Sequence, residues 1–422
     1  MNKNFVEELR WRGMIQDIMP GTEEKLMEGP TAAYVGIDPT ADSLHIGHMV
    51  SIMILKHFQE CGHKPIALVG GATGMIGDPS GKSQERNLLD EATLNHNVEC
   101  IKKQLSKFLD FESDAPNRAE LVNNYDWMKD YGFLNFIRDI GKHITVNYMM
   151  AKDSVKMRLS NESREGMSFT EFSYQLLQGY DFLWLYQNKG CRLEMGGSDQ
   201  WGNITTGVDL IRKVLDKTAY AFTMPLILDP TGKKFGKSEG NALWLDKNKT
   251  SAYEIYQYLI NADDSKVLEY LKVFTFLSKE QIEDVYAQQQ AAPETRIAQK
   301  TLAWEVVKDI HGKDEADNAV LVSQKLFAGD FSGLSVQDIK AGMKGVPSFP
   351  FEKNEPLIDV LVNNKIASSK REARDFLKAN AISVNGKPVS DETALITKDM
   401  ALGGEILIFR RGKKKYFIGE VK

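Results

Sequence analysis

His45 and His48 are the residues whose types and spacing most directly suggest chemistry in this chain of 422 residues. They lie on either side of Gly47, one helical turn apart, after the strand-like run Ala33–Ile37 and before a helix-like segment that starts at Met49. A helix N-terminus attracts anions through its backbone N–H groups and its macrodipole, and imidazole donors add to that attraction. The pair therefore predicts a phosphate-binding site.

A metal site is the alternative for the same region, because His57, Cys61 and His63 follow the histidine pair. Zinc sites usually combine closely spaced pairs of ligands from two separate places in a chain, and this pattern shows only one such place. We therefore assign no metal ligand and favour phosphate binding.

A glycine-dense loop that begins at Gly70 holds a further candidate residue. The loop is not a P-loop, which would need glycine in place of Ile76, nor a dinucleotide-binding fingerprint, which would need glycine in place of Thr73. It follows a predicted strand, at the carboxyl edge of a sheet, where the ligands of open α/β sheets bind. Asp78 is the candidate there for holding an ammonium group.

Basic residues that could reach a polyphosphate come from two loops. Lys82 and Arg86 belong to the first glycine-dense region, and Lys234 and Lys237 belong to a second, Gly232–Ser238. Solvated charges on loop tips are the alternative, so the interpretation of these residues depends on the rest of the site.

One predicted helix face combines a hydroxyl, an amide and a carboxylate. Tyr174, Gln178 and Asp181 follow one another at helical spacing, which places them on the same face. Such a stripe suggests a pocket for a small polar ligand, and a polar helix edge is the alternative. A later glycine turn places Asp199 where it could bind ribose hydroxyls.

Alternating strands and helices over the first part of the chain are available to position these residues. The predicted strands are Ala33–Ile37, Pro65–Val69, Leu121–Asn123 and Cys191–Met195. The predicted helices are Met49–Cys61, Glu91–Leu109, Phe169–Tyr186 and Gln200–Val214. This alternation predicts an α/β fold built on a parallel sheet with crossover helices.

The remainder of the chain differs in pattern. Helical periodicity replaces strands from Ala252 to about Ala341, and two prolines and a glycine then indicate a linker. We predict a catalytic domain at 1–245, a helical domain at 246–343, a linker at 344–355 and a compact α/β module at 356–422.

The composition is that of an ordinary globular protein, 42% hydrophobic and 26% charged, and its net charge of -5 argues against a generally basic nucleic-acid coat. Residues 365–422, however, carry 13 Lys/Arg against 7 Asp/Glu, which suggests a local polyanion contact. Three widely separated cysteines fit a reducing compartment, and we find no signal peptide or membrane-spanning run. We expect a cytoplasmic protein.

Taken together, these segments resemble the class I aminoacyl-tRNA synthetases, specifically the bacterial-type tyrosyl-tRNA synthetase family. The matching segments are Tyr34–Thr40, His45–His48, Gly77–Gly81, the Tyr174/Gln178/Asp181 stripe, Gly196–Asn203 and Lys234–Ser238. They stand in the family's order and spacing, and the resemblance covers nearly the whole chain. The resemblance implies a Rossmann-like catalytic domain, an α-helical domain and a small RNA-binding module like one first known from a ribosomal protein.

The resemblance also implies the activity, tyrosine–tRNA ligation. Tyrosine and ATP, with Mg²⁺, give tyrosyl-adenylate and pyrophosphate, and tyrosine then passes to the 3′-terminal ribose of tRNA(Tyr). A homodimer is implied as well, without membrane contact. The basic tail would contact tRNA through Arg410, Arg411, Lys413, Lys414 and Lys415.

Individual site residues follow from the same resemblance. Those implied to bind tyrosine are Tyr34 and Asp181 at the phenolic hydroxyl, Asp78, Tyr174 and Gln178 at the ammonium group, and Gln200 near the carboxylate. Those implied to line the ATP site are Gly36, Asp38, Gly47, Ser51, Gly197, Asp199 and Lys237. The implied catalytic set, which stabilises the phosphates, is Thr40, His45, His48, Lys82, Arg86, Lys234 and Lys237.

Two departures from the wider pattern bear on this assignment. Lys234–Ser238 reads Lys-Phe-Gly-Lys-Ser in place of Lys-Met-Ser-Lys-Ser, a form common in the tyrosyl subgroup. Glu194 stands where the family usually has glutamine, and an ionised glutamate accepts hydrogen bonds but donates none.

Three rival interpretations remain. A tryptophanyl relative shares the architecture, but the pair Tyr34 and Asp181 fits a phenol better. A stand-alone nucleotidyltransferase would have no use for the C-terminal module. An RNA-binding protein without charging activity would not need His45, His48 or the lysines of the second loop.

Overall fold

The computed structural model describes residues 4–80, 89–159, 166–238, 241–412 and 415–422. Four residues predicted to contact phosphates lie outside this set, namely Lys82, Arg86, Lys413 and Lys414. For Lys237, another of the predicted residues, the structure describes the backbone but not the side chain.

Internal contacts divide the chain into two compact units. The first consists of Met1–Thr250 with Ala262–Leu302, and the second of Ser251–Asn261 with Ala303–Lys422. The predicted helical domain, 246–343, contributes helices to both units. The predicted domain boundaries themselves stay predictions.

Helices are distributed along the whole described chain. Up to residue 215 they are α1 Phe5–Arg12, α2 Thr22–Met27, α3 Met49–Glu60, α4 Thr73–Ile76, α5 Glu91–Leu105, α6 Tyr125–Met128, α7 Phe133–Asp139, α8 Val146–Met150, α9 Asp153–Leu159, α10 Phe169–Lys189 and α11 Trp201–Leu215. After it they are α12 Ala252–Ile260, α13 Val267–Phe274, α14 Lys279–Ala291, α15 Ile297–His311, α16 Lys313–Ala328, α17 Val336–Gly342, α18 Leu357–Asn363 and α19 Lys370–Lys378.

Strands fall into two groups along the chain. The first group is β1 Asp17–Ile18, β2 Ala32–Ile37, β3 Lys64–Val69, β4 Glu120–Asn123, β5 Cys191–Gly197, β6 Tyr220–Met224, β7 Lys237–Ser238 and β8 Asn241–Ala242. The second is β9 Ser348–Phe351, β10 Glu355–Pro356, β11 Ile382–Val384, β12 Lys387–Pro388, β13 Leu395–Ile396, β14 Ile406–Arg411 and β15 Lys415–Val421.

The main sheet of the first unit has the order β1-β6-β5-β2-β3-β4. Strands β2 to β6 are parallel, and only the edge strand β1 is antiparallel to its neighbour. The predicted α/β fold with a parallel sheet is therefore confirmed. The chain moves outwards from β2 to β4 in one direction and from β5 to β6 in the other, which opens a crevice at the carboxyl ends of β2 and β5.

Burial explains why these segments fold as they do. Parallel strands are covered on both faces, and β3 accordingly reads as a buried apolar run. Helix α3 is apolar around most of its circumference, and its residues Ile52–Leu55 are fully buried. Helix α10 begins where the Ser168 hydroxyl accepts from the backbone N–H of Glu171, and it ends at Gly190 in the left-handed conformation.

The second unit contains a five-stranded sheet in the order β12-β11-β14-β15-β9. Its core includes apolar residues of α18 and α19 together with those of β11 and β14. Within the segment predicted as a linker, 344–355, Ser348–Phe351 forms β9 and pairs in parallel with β15. Phe351 is 1% exposed and belongs to the same core.

Within the described residues, each helix is too short or too polar to cross a lipid bilayer.

Candidate active site

A cleft of about 360 Å³ opens at the carboxyl ends of β2 and β5. Every predicted site residue whose side chain the structure describes lines it. These residues are Tyr34, Gly36, Asp38, Thr40, His45, Gly47, His48, Ser51, Asp78, Tyr174, Gln178, Asp181, Gly197, Asp199, Gln200 and Lys234. The position of the cleft thus agrees with the crevice that the strand order creates.

The cleft side chains form two groups that differ in burial. The inner group consists of Tyr34, Tyr174, Asp181 and Glu194, all of which are buried. The outer group consists of His45, His48 and Asp199, which are partly exposed, and Lys234, whose side chain is 52% exposed.

His45 and His48 form a tight turn just before α3. The Nδ1 atom of His45 accepts the backbone N–H of Gly47 at 3.1 Å, and Nδ1 of His48 accepts the backbone N–H of His45 at 3.1 Å. A neutral imidazole that accepts at Nδ1 carries its proton on Nε2. The two rings lie 3.8 Å apart, so the turn holds two ring N–H donors side by side.

The second basic loop packs directly against this turn. Gly236 adopts φ +91°, and a Cβ added there would lie 2.4 Å from Cγ2 of Ile46. The backbone N–H of Ile46 also donates to the carbonyl of Leu243 at 2.8 Å. Lys234 of the same loop forms an ion pair of 3.1 Å with Asp199, which joins the loop to the end of β5.

Asp181 is the buried carboxyl group of the inner group, 1% exposed. Its Oδ2 accepts from Nδ2 of Asn124 and its Oδ1 from Nε1 of Trp127, both at 2.9 Å. Burial raises the pKa of Asp181, and these two hydrogen bonds oppose the shift by favouring the ionised form. The carboxyl group is thereby fixed in one orientation.

Tyr34 is 1% exposed, and its hydroxyl makes no hydrogen bond with any described residue. Burial raises the pKa of Tyr34, and the nearby carboxyl groups of Glu194 and Asp181 act in the same direction. A buried hydroxyl without a partner is costly, so this group needs a ligand atom to satisfy it.

Asp38, which follows β2, is hydrogen-bonded to Tyr174 on the polar face of α10. Its Oδ2 accepts from the hydroxyl of Tyr174 at 2.8 Å, and its Oδ1 accepts from Thr73 Oγ1 at 2.7 Å. Burial and the Asp38 carboxylate both raise the pKa of Tyr174. Since the Tyr174 proton is directed to Asp38, its oxygen can only accept from a ligand.

Asp78 is held by donors from its own loop and from the turn and helix that follow β5. Its Oδ2 accepts from Nε2 of Gln200 at 2.7 Å, and its Oδ1 accepts from the backbone N–H of Ser80 at 3.0 Å and from Asn203 Nδ2 at 3.4 Å. Gln200, predicted to lie near a carboxylate, therefore directs one of its amide donors to Asp78.

Glu194 lies on β5 beside Tyr34 of β2, with which it is in register. Its Oε1 accepts from Nε2 of Gln178 at 2.9 Å. Burial raises the pKa of Glu194 to about 7, while the hydrogen bond from Gln178 and the nearby Tyr34 hydroxyl oppose the rise.

Thr73, Asn124, Trp127 and Asn203 are site residues that the sequence analysis did not identify. They bond to Asp38, Asp181 or Asp78, and Asn124 also donates to Thr73 at 3.0 Å. Thr73 and Asn124 follow β3 and β4 closely, so the rule that selected Asp78 and Asp199 could have selected them. Trp127 lies in α6, away from any motif, whereas Asn203 ends the matching segment Gly196–Asn203 but was given no role there.

The metal alternative gains no support from the described residues. No group of three or more His, Cys, Asp or Glu side chains there is arranged to hold a metal ion. His63 is instead a core residue, because its Nδ1 accepts from the backbone N–H of Thr31 and its ring stacks on Phe58. Burial accordingly lowers the pKa of His63.

Comparison with known proteins finds relatives along almost the whole chain. A family model described as tRNA synthetases class I (W and Y) matches residues 26–328, and one described as Tyrosine--tRNA ligase SYY-like C-terminal domain matches residues 338–419. Curated proteins named Tyrosine--tRNA ligase from Parabacteroides distasonis and Flavobacterium psychrophilum are 58% and 53% identical to this chain. The alignments cover 98% and 100% of this chain and 99% and 100% of the relatives.

Solved structures show the same likeness. A C-terminally truncated mitochondrial tyrosyl-tRNA synthetase from Aspergillus nidulans is 35% identical, with a TM-score of 0.67, over 77% of this chain and 94% of that one. A tryptophanyl-tRNA synthetase from Encephalitozoon cuniculi, bound to tryptophan, is 15% identical, with a TM-score of 0.53, over 79% and 89% of the two chains. The second likeness is one of fold alone.

Proposed function

Since the chain belongs to the class I tRNA synthetases for tryptophan and tyrosine and is a tyrosine–tRNA ligase, we propose that it activates tyrosine in the cleft at β2 and β5. The tyrosine carboxylate attacks the α-phosphorus of ATP, the bond from that phosphorus to the bridging oxygen breaks, and pyrophosphate leaves. A hydroxyl of the 3′-terminal ribose of tRNA(Tyr) then attacks the carbonyl carbon of the adenylate, tyrosine is transferred to that ribose, and AMP leaves.

The observation that carries this proposal is the buried, unpartnered hydroxyl of Tyr34 beside the fixed carboxyl group of Asp181. A phenolic hydroxyl entering there can donate to Asp181 and bond to Tyr34, which satisfies both groups. An amino acid without that hydroxyl leaves Tyr34 buried and unpaired, at a cost of about 1–3 kcal/mol. Tryptophan also lacks a phenolic hydroxyl, so it is disfavoured as the substrate for the same reason.

Acceptors in the cleft suit the ammonium group of the same substrate. Asp78 offers a carboxylate and Tyr174 an oxygen whose proton is directed to Asp38. Gln178 contributes its amide carbonyl, since its nitrogen bonds to Glu194. Gln200 is assigned to the substrate carboxylate through its second amide hydrogen.

The outer group suits the phosphates of ATP. His45 and His48 supply ring N–H donors beside Thr40, and Lys82, Arg86, Lys234 and Lys237 supply positive charge for the leaving pyrophosphate. Such a reaction needs positioning and charge stabilisation rather than a nucleophilic side chain. Gly36, Asp38, Gly47, Ser51, Gly197 and Asp199 are assigned to the nucleotide, with Asp199 at the ribose hydroxyls.

Magnesium enters this proposal as part of the substrate, bound to ATP. Mg²⁺ is usually held by phosphate oxygens, waters and one or two carboxylates rather than by a cage of side chains. The acceptor oxygens of the cleft fit that mode. When bound, the ion would neutralise charge on the phosphates.

ATP–pyrophosphate exchange with each amino acid in turn tests the function. We expect exchange with tyrosine and very little with phenylalanine or tryptophan. If tryptophan supported exchange as fast as tyrosine, the assigned specificity for tyrosine would be wrong. If no amino acid supported exchange, the proposed function would be contradicted.

We further propose that the C-terminal module contacts the tRNA backbone. Exposed basic residues of α19 and β15, including Arg371, Arg374 and Lys415, fit phosphate contacts. Tyr416 and Phe417, which follow Lys415, are partly buried against the cores of the unit, so the proposal rests on the basic residues.

A homodimer is proposed from an exposed apolar patch of the first unit, residues 133–150. Leu134 is 80% exposed, Phe133 65% and Val146 59%. Apolar patches of this kind indicate association, and a two-fold axis through the patch would let a second copy cover it.

In light scattering, Leu134→Asp should give a monomer, whereas Met27→Asp, at an equally apolar site 66% exposed, should not. A dimer that survives Leu134→Asp would exclude this patch.

A cytoplasmic location is also proposed. It is supported by the relation to a bacterial translation enzyme and by three free cysteines, Cys61, Cys100 and Cys191.

A further inference from the structure

Glu194 is a carboxyl group in an unusual position, 2% exposed on a central strand and lining the cleft. Glutamate is almost never fully buried unless it is paired. Its Cα pairs with those of Tyr34 on β2 and Ala221 on β6, so strands cover it on both sides.

Only one oxygen of Glu194 has a hydrogen-bond partner among the described residues. Oε1 accepts from Nε2 of Gln178 at 2.9 Å, whereas Oε2 has none. Oε2 faces α11, where a Cβ added to Gly207 would lie 3.3 Å from it. Gln178 is thus the cleft side chain that Glu194 holds by a hydrogen bond.

The direction of this hydrogen bond follows from the chemistry of the two groups. An ionised carboxylate has no proton to donate, so the amide of Gln178 must face it with its nitrogen. The carbonyl oxygen of Gln178 is then turned away from Glu194. Because Gln178 lines the cleft, that oxygen becomes an acceptor for a ligand.

We propose that Glu194 is a positioning residue for the amino-acid substrate, which fixes the amide of Gln178 so that its carbonyl accepts from the tyrosine ammonium group. The inference rests on the proposed function. A neutral amide at position 194 can donate or accept, so it would leave Gln178 free to turn a repelling N–H towards the ammonium group.

Protonation of Glu194 should release the same constraint. Burial raises the pKa of Glu194 to about 7, and the protonated acid has a donor as well as an acceptor. The titratable groups around it are Tyr34 on β2, Asp181 on α10 and Cys191 on β5. Burial raises the pKa of each of these three groups, so Tyr34 and Cys191 stay neutral near neutral pH.

A double-mutant cycle on tyrosine binding tests the inference. The dissociation constant of tyrosine is measured by equilibrium dialysis without ATP for the wild type, Glu194→Gln, Gln178→Ala and the double variant. We expect Glu194→Gln to raise it roughly tenfold, as for loss of one hydrogen bond to a charged group. In the Gln178→Ala background, Glu194→Gln should raise the dissociation constant less than about twofold further. The reason is that the hydrogen bond through which Glu194 acts is already absent.

The inference is overturned if the effects of the two substitutions on the dissociation constant multiply in the double variant. It is also overturned if Glu194→Gln binds tyrosine as tightly as the wild type. Thermal melting of each variant excludes loss of folding as the cause. Pyrophosphate exchange by the wild type is run alongside. If the wild type does not activate tyrosine, the proposed function has failed; if it does and the cycle shows no coupling, only this inference has failed.

The wild type supplies a second measurement that needs no folded variant. Its dissociation constant for tyrosine should rise as the pH falls from about 8 to about 6, as Glu194 takes up a proton. Glu194→Gln should lose this dependence. A variant that keeps the wild-type pH profile would assign the titration to another group and contradict the role of Glu194.

Discussion

The inner group of the cleft is buried and its polar atoms bond mainly to other side chains, whereas the outer group is partly exposed and its histidines bond to backbone. Asp181 is fixed by Asn124 and Trp127, and Tyr174 is fixed by Asp38. His45 and His48 instead bond to the backbone of their own turn. In the proposed reaction, the first arrangement selects a substrate and the second stabilises developing charge.

The difference follows from what each task needs. Selection works through the cost of leaving a buried polar group unpaired, so it requires burial and fixed partners. Charge stabilisation requires donors aimed at the phosphates and a route for pyrophosphate to leave. Variants in the two groups should therefore fail in different ways.

The largest effect is expected for Asp181→Ala, which leaves the donors of Asn124 and Trp127 and the substrate hydroxyl unpaired. We expect kcat/KM for tyrosine in pyrophosphate exchange to fall on the order of a thousandfold. The preference for tyrosine over phenylalanine should largely disappear. Asp114→Ala, at an exposed aspartate, is the matched control. Retained selectivity for tyrosine in the Asp181 variant would contradict the inner group's role.

A smaller loss, confined to turnover, is expected for His45→Ala. Removing one preorganised donor to a developing charge costs about 3 kcal/mol, or roughly a hundredfold in kcat. KM for tyrosine should change little, because the inner group is intact. His96→Ala, at an exposed histidine, is the control. An exchange rate within a few-fold of wild type would remove His45 from the mechanism.

The next prediction is weaker binding of tRNA, caused by substitutions in the C-terminal module that change neither group of the cleft. The pair Arg371→Ala and Lys415→Ala should raise KM for tRNA roughly tenfold and reduce the salt dependence of binding, with pyrophosphate exchange unchanged. Lys103→Ala with Lys107→Ala removes two exposed lysines of α5 and its C-terminal end as a control. An equal effect of both pairs would indicate a general charge effect and not a tRNA surface.

Substitution is preferable to truncation in that experiment. One core of the second unit combines Ile339 and Met343 from the region of α17 with Ile406, Ile408 and Ile418 of β14 and β15. Removing the chain after Phe351 would expose that core, so a loss of charging would not be specific to tRNA contacts.

The smallest effects are on stability, and they compare the two groups directly. Asn124 is fully buried and donates to both Asp181 and Thr73, so Asn124→Ala should lower the unfolding free energy by about 2–3 kcal/mol. The ion pair of Lys234 is about half exposed, so Lys234→Ala should cost less than about 1 kcal/mol. Urea denaturation measures both, and similar losses would show that burial does not distinguish the groups.

The outer group was the easier one to read from sequence. His45, Gly47 and His48 lie within four residues, and a strand before them and a helix after them already predict an anion site. The parallel sheet could also be predicted, because buried strands alternate with amphipathic helices. Both predictions rest on residues that are close together in the sequence, and such residues largely determine turns, helices and strands.

The inner group depends on contacts that no local pattern shows. Tyr34 and Glu194 meet only because β2 and β5 pair in one register, and Asp181 meets Asn124 only through the packing of α10. Before the fold was known, family resemblance was the only route to the pairing of Tyr34 with Asp181. The partners Thr73 and Trp127 lay outside that resemblance and were missed.

The strand β9, inside the segment predicted as a linker, could not be read from the sequence for a different physical reason. Pro347, Pro350 and Gly345 indicate irregular backbone in most settings. Here Pro350 lies in β9, which is an edge strand of its sheet, and an edge strand tolerates a residue that cannot donate on its open side. The sequence shows the prolines but not the position at the edge.

The contact between Gly236 and Ile46 has a consequence for how such an enzyme can change over generations. A side chain at 236 would collide with Ile46, and its backbone would also be strained at φ +91°. The histidine turn and the lysine loop are almost two hundred positions apart, yet a mutation in one is acceptable only if the other still fits it. We expect the two segments to be inherited as a matched pair, so that a change in one persists only together with a compensating change in the other.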